Sequence, residues 1–106
     1  MKILFDQGTP VPLRRFLSGH TVDTAYERGW SEISNGNLLS KAEQEGYELL
    51  ITTDRNLRYE QNLTDRQIAI AVLMTTSWPR IKPHTDRIQA IIDAIQPGTY
   101  QEIPIE

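Results

Sequence analysis

The chain of 106 residues has no cysteine, only two histidines and no long apolar run. Without thiols there can be no disulfide, no thiolate metal site and no cysteine nucleophile, so folding must rest on apolar burial. His20 and His84 are far apart in sequence and are expected at the surface, which leaves neither a histidine metal site nor a histidine-based triad. No apolar stretch reaches the roughly 18–20 residues of a membrane span. Met1-Lys2-Ile3-Leu4-Phe5 meets Asp6 too early for a secretory leader. A cytoplasmic protein with no membrane partner is therefore expected. There is no internal repeat, linker or low-complexity stretch, and the length suits one domain spanning residues 1–106. Gly8 and Gly19 make neither a dinucleotide fingerprint nor a P-loop, and no Walker lysine is present.

Positive charge is also scarce. Eleven Lys and Arg face 14 Asp and Glu, giving a net charge of -3 and a pI near 5.3, which argues against broad polyanion binding. The deficit is uneven: residues 54–87 hold Arg55, Arg58, Arg66, Arg80, Lys82 and Arg87 against Asp54, Glu60, Asp65 and Asp86. That segment carries +2, and the rest of the chain carries -5.

The apolar pattern alternates strand and helix. Lys2-Ile-Leu-Phe5 reads as a strand, followed by a helix over about 10–18, with Thr9 as cap, Pro10 at the first helical position and Gly19 as stop. His20–Ala25 reads as a second strand. Glu27 to Gly36 is loop-like, and Asn35 and Asn37 are cap-type residues ahead of a helix over about 37–45 that ends at Gly46. Glu48–Thr53 is a third strand ending at Asp54, and Asn56–Asn62 a short polar helix or turn. Gln67–Met74 is an unbroken apolar run, the mark of a strand buried on both faces and placed at or near the centre of a sheet. Thr75–Arg80 reads as a polar loop. A helix over about 84–95 presents Ile88, Ile91, Ile92 and Ile95 on one face, and Thr99–Ile105 suits an edge strand or tail. Strands separated by helices predict an α/β fold, a three-layer α/β/α sandwich around a mostly parallel sheet of four or five strands. Ligands of such sheets sit outside the carboxyl ends of the strands, where strand order reverses.

That edge receives Asp6 after the first strand, Asn35 and Asn37 after the second, Asp54 and Asn56 after the third, and Thr75–Ser77 after the fourth. If strands one and three are neighbours, two carboxylates meet there, and a divalent cation that prefers oxygen ligands, Mg²⁺ or Mn²⁺, relieves their repulsion. Such a metal suits phosphodiester hydrolysis. Arg55, Arg58, Arg80 and Lys82 lie just beyond the strand ends and are placed to hold a phosphate backbone, with Thr76 as a further substrate contact. Tyr59 and Trp78 offer stacking surfaces for unpaired bases, Trp78 beside Pro79 suiting a packing role equally. A phosphoacceptor receiver domain would also place an aspartate after the third strand and a threonine after the fourth, with Lys82-Pro83 following. However, Lys82 comes only six residues after Thr76, too few for a helix and a fifth strand, and a single acid follows the first strand.

Ile3-Leu-Phe-Asp6-Gln-Gly-Thr-Pro10, leading into a Leu/Arg helix, together with Leu50-Ile-Thr-Thr-Asp54-Arg-Asn-Leu57, resembles the small PIN-like domains related to the ribonuclease toxins of bacterial toxin–antitoxin pairs. The likeness covers about residues 1–80. It implies a parallel-sheet nuclease that binds Mg²⁺ or Mn²⁺ through clustered acids and hydrolyses RNA, with Asp6 and Asp54 as catalytic and metal-binding residues. The family pattern usually adds an acid at the start of the middle helix and another two residues past the Thr-Asp. This chain has Ser34-Asn35-Gly36-Asn37 and Asn56 there, so Asn35, Asn37 and Asn56 are expected as auxiliary, uncharged ligands through their carbonyl oxygens. Glu43, the nearest acid on that helix, falls towards the far edge of the sheet. The resemblance implies RNA as substrate, with an antitoxin protein or a second copy of the chain as further candidate partners. A PIN-like module that binds a partner protein or RNA without cleaving it is the alternative expectation.

Overall fold

The computed structural model describes residues 1–57, 63 and 65–105, and in it the apolar runs form five short strands. These are β1 (Lys2–Phe5), β2 (Thr21–Thr24), β3 (Leu49–Thr52), β4 (Ala69–Leu73) and β5 (Tyr100–Ile103). All pairings are parallel, in the order β2-β1-β3-β4-β5. Every position of β3 and β4 is buried, as strands covered on both faces require, while β2 and β5 at the edges are partly exposed.

Successive strand residues point to opposite faces, so the apolar runs serve two cores at once. On one face Ile3, Phe5, Leu49, Ile51 and Ala71 share a core with Leu13 of the Val11–Phe16 turn and with Ile88 and Ile92 of the last helix. On the other, Leu4, Leu50, Ile70 and Val72 pack with Leu38, Leu39 and Ala42, backed by Trp30 and Tyr47. The helices are α1 (Asn35–Gln44), α2 (Trp78–Ile81) and α3 (Thr85–Ala94), with a 3₁₀ turn over Lys82–His84 ahead of α3. The result is an α/β fold with helices on both faces of an all-parallel, five-stranded sheet. Among the described residues no helix is long and apolar enough to cross a membrane.

Several local expectations change. Residues 11–16 form a 3₁₀ helix rather than an α-helix. Only six residues, Val11–Phe16, are helical before the chain leaves at Leu17 and turns at Gly19 (φ +82°) towards β2, and short connectors of this length often take the tighter form. Thr9 does not cap it. Its hydroxyl donates instead to the Ile51 carbonyl at 2.9 Å, from a nearly buried position. α1 starts at Asn35, two residues early, with Ser34 as its N-cap. The loop after β4 contains α2, where Pro79 lies in the first turn and loses no hydrogen bond. His20 is not a surface residue: its side chain is 9 % exposed and its Nε2 lies 2.6 Å from Asp93 of α3. That hydrogen bond is the main reason the Asp93 carboxyl is held below the ordinary aspartate value. Most of the expected Asn56–Asn62 turn lies outside the described residues; Asn56 is exposed and Leu57 buried.

The chain runs outward from β1 to β2 on one side of the sheet and through β3, β4 and β5 on the other, so strand order reverses between β1 and β3.

Candidate functional site

Both aspartates leave the sheet at that reversal. β1 and β3 pair in the register Ile3↔Leu49, Leu4↔Leu50 and Phe5↔Ile51. The Asp6 N–H continues the ladder by donating to the Ile51 carbonyl at 2.9 Å. Asp6 therefore emerges beside Thr52, and Asp54 follows two residues on.

Thr52, fully buried, joins the two acids. Its hydroxyl donates to Asp6 Oδ2 at 2.8 Å and accepts the Asp54 N–H at 3.0 Å. The other Asp6 oxygen accepts the Gln7 N–H at 2.7 Å. Asp54 Oδ2 accepts from the Asn35 amide at 2.7 Å, and Oδ1 accepts the Asn56 N–H at 3.0 Å. A carboxylate offers about four lone-pair directions, so both acids keep acceptor capacity beyond these bonds. Gly8 lets the two strand-end loops approach closely, since a Cβ there would lie 2.5 Å from Thr53 Oγ1.

The sequence-derived site residues divide. Asp6, Asp54 and Asn35 come together, with Asn35 on the first turn of α1 reaching across to Asp54. The hard oxygens at this edge are those of the two carboxylates, the type Mg²⁺ and Mn²⁺ prefer, whereas the Asn35 amide turns its NH₂ rather than its carbonyl oxygen to Asp54. Among the described residues no group of three or more acids or histidines gathers. Asn56 contributes its backbone N–H, while the side chains of Asn56 and Asn37 are exposed and bond to neither acid. Arg55, Thr76 and Arg80 are exposed residues of the loops after β3 and β4, and none bonds to either acid. Arg58 and Tyr59 lie outside the described residues. Trp78 packs at 5.7 Å from the Phe16 ring and against the core, a packing role rather than a free stacking face. Lys82 falls in the turn between β4 and α3, not after the fifth strand as a receiver domain requires.

Glu43 sits at the opposite edge. It pairs with Arg66 at 2.8 Å and lines a cavity of about 370 Å³ there. Burial raises its carboxyl, but the Arg66 guanidinium and the Gln67 N–H outweigh that and hold it below the ordinary glutamate value.

A second cavity, of about 360 Å³, opens beside Asp6 on the β2 side. Tyr26, Glu27 and Arg14 line it, and sequence pattern singled out none of them. Arg14 donates to Glu27 at 2.9 Å and to the Val22 carbonyl at 3.2 Å. The Thr24 N–H donates to the same Glu27 carboxylate at 2.9 Å. That backbone bond, then the Arg14 bond, holds Glu27 below the usual carboxylate range. Thr52 was also missed as a bridge: its only trace in the sequence is a hydroxyl residue ending an otherwise apolar strand. No family model, curated protein or solved structure matches the chain.

Proposed function

We propose that the protein is a Mg²⁺- or Mn²⁺-dependent endoribonuclease of PIN-like type. The observation that supports this reading is the buried Thr52 hydroxyl at the strand-order reversal, which donates to the Asp6 carboxylate and accepts the backbone N–H of Asp54, tying the two strand ends that carry the acids. Asp6 and Asp54 hold the metal, which when bound supplies phosphate charge neutralisation and water activation. Thr52 fixes the spacing of the acids, and Asn35 sets the rotamer of Asp54. Arg55 and Arg80, exposed at neighbouring strand ends, hold phosphates along the strand. As a toxin, such an enzyme is restrained by an antitoxin protein that covers this edge.

The test is cleavage of a panel of single-stranded and structured RNAs in Mg²⁺ or Mn²⁺, with Asp6→Asn and Asp54→Asn as controls. Wild-type protein cleaves and both variants lose at least about a hundredfold. Mn²⁺ raises the melting temperature of the wild type but not of Asp6→Asn. Absence of both cleavage and thermal shift overturns the proposal.

One observation favours a second reading, a module that binds without cutting. Asn35 stands where an acid would bring a third charge, and its amide donates to Asp54. RNA or protein binding that persists unchanged in chelator, with no cleavage, selects this reading.

A further inference from the structure

The cavity beside Asp6 is not used by the proposed chemistry, yet it shares Asp6 with it. Its volume of about 360 Å³ falls in the usual range of small-ligand sites. Tyr26 lines it while remaining 78 % exposed, the most open large apolar side chain among the described residues. A phenol ring left in water at the lip of a cavity is a ready stacking surface for an unpaired base. Glu27 Oε1 already accepts from Arg14 and from the Thr24 N–H, but Oε2 has only a longer bond to Arg14, at 3.2 Å. The cavity wall thus offers a carboxylate acceptor directly beside a guanidinium with N–H donors to spare.

We propose that this cavity is a guanine subsite, taking the base next to the scissile phosphate of single-stranded RNA, with Tyr26 stacking and the Glu27–Arg14 pair reading the Watson–Crick edge. Guanine alone among the four bases presents two adjacent donors, N1–H and N2–H, that can converge on the one Glu27 oxygen with acceptor capacity left, Oε2, next to an acceptor, O6, for the Arg14 guanidinium. Adenine and cytosine each offer one donor and would set a lone pair against Glu27, and uracil flanks its single donor with two acceptors. Because Asp6 borders both regions, a base held here leaves its adjoining phosphate at the paired aspartates. This inference rests on the ribonuclease reading for what the base is attached to, but base recognition itself needs no metal.

The experiment measures binding apart from cleavage. Labelled uridine-rich tetranucleotides carrying a single G, A, C or U are titrated by fluorescence anisotropy in chelator, against wild type, Tyr26→Ala, Tyr26→Phe and Glu27→Gln. The same oligonucleotides are assayed for cleavage in Mn²⁺. Wild type binds the G-containing oligonucleotide at least about tenfold more tightly than the others. Tyr26→Ala weakens all four by about tenfold, the loss of one base stack, and Tyr26→Phe restores them. Glu27→Gln removes the preference for G. Equal binding of the four bases, or no effect of Tyr26→Ala, overturns the subsite even if Mn²⁺-dependent cleavage is found. G-selective binding through Tyr26 and Glu27 with neither cleavage nor a Mn²⁺-induced thermal shift upholds the subsite and removes the nuclease reading instead.

Discussion

Replacing Thr52 by valine tests the bridge between the two aspartates directly. Valine keeps the shape of threonine, so the fully buried site gains no cavity. What is lost is one hydroxyl that makes two bonds, at 2.8 Å to Asp6 and 3.0 Å from the Asp54 N–H. A hydrogen bond to a charged group contributes about 1.5–3 kcal/mol, and an N–H left unsatisfied costs about 1–3 kcal/mol. Asp6 is only half-buried, so water replaces part of the first term. The expected destabilisation is therefore about 2–3 kcal/mol, or a fall of roughly 10 °C in melting temperature for a domain of this size. Thr52→Ser keeps the hydroxyl and loses one methyl, costing about 1 kcal/mol. Urea unfolding followed by circular dichroism, with unchanged m-values, ranks the three proteins as wild type, serine, valine. A valine variant as stable as the serine variant would refute the bridging role. The Mn²⁺-induced thermal shift should also shrink in the valine variant, because the spacing of the acids is no longer fixed.

Other positions give distinct signatures. The Tyr47 phenol is pushed up to about 12, first by burial and then by its 2.5 Å bond to Asp23. The folded protein therefore keeps a proton that the unfolded chain loses near the ordinary value of 10.0, and stability should fall as pH rises from 10 to 12. Tyr47→Phe flattens that decline, as alkaline unfolding curves will show. Glu43, held below its ordinary 4.5 by Arg66 and Gln67 despite its burial, contributes stability that is present above that value and lost as pH falls through its folded-state value. Acid unfolding of Glu43→Gln should accordingly show a weaker pH dependence below 4.5 than wild type. Gly8→Ala places a methyl 2.5 Å from Thr53 Oγ1 and should cost about 1 kcal/mol in denaturant unfolding. The same change in a Thr53→Ala background should cost less than half as much, and equal costs in the two backgrounds count against the contact.

Strand positions were readable because their apolar runs are short, bounded and matched by turn residues. Gln67–Met74 announced β4, and Glu48–Thr53 announced β3, each trimmed by a residue or two at its ends. That Asp6 after β1 and Asp54 after β3 share one edge followed from parallel topology alone. The capping roles expected of Thr9 and Asn35 fail for one reason: both are residue types that bond their own backbone locally, and both are drawn instead to partners on β3 and in the loop after it. His20 resisted for a related reason, since its partner Asp93 is 73 positions away. The cavity beside Asp6 left no periodic trace, because Arg14, Tyr26 and Glu27 come from two connections that meet only in the folded chain.

The parallel topology also sets when the site comes into being. No strand here pairs with a partner reached by a tight turn. Even Lys2↔Thr21 closes a long loop, and the bond that joins Asp6 to Thr52 spans 46 positions. Pairings of this kind cost loop-closure entropy before any contact repays it, which favours slow and concerted folding. Asp6 and Asp54 therefore have no local route to each other: the unfolded chain holds two isolated carboxylates, and the pair exists only once β1 has docked on β3. Any ion or strand of RNA that needs both acids acts as a ligand of the native state alone, and it raises the stability of the whole fold by RT ln(1 + L/Kd), where L is the free ligand concentration, so the gain grows as ligand is added.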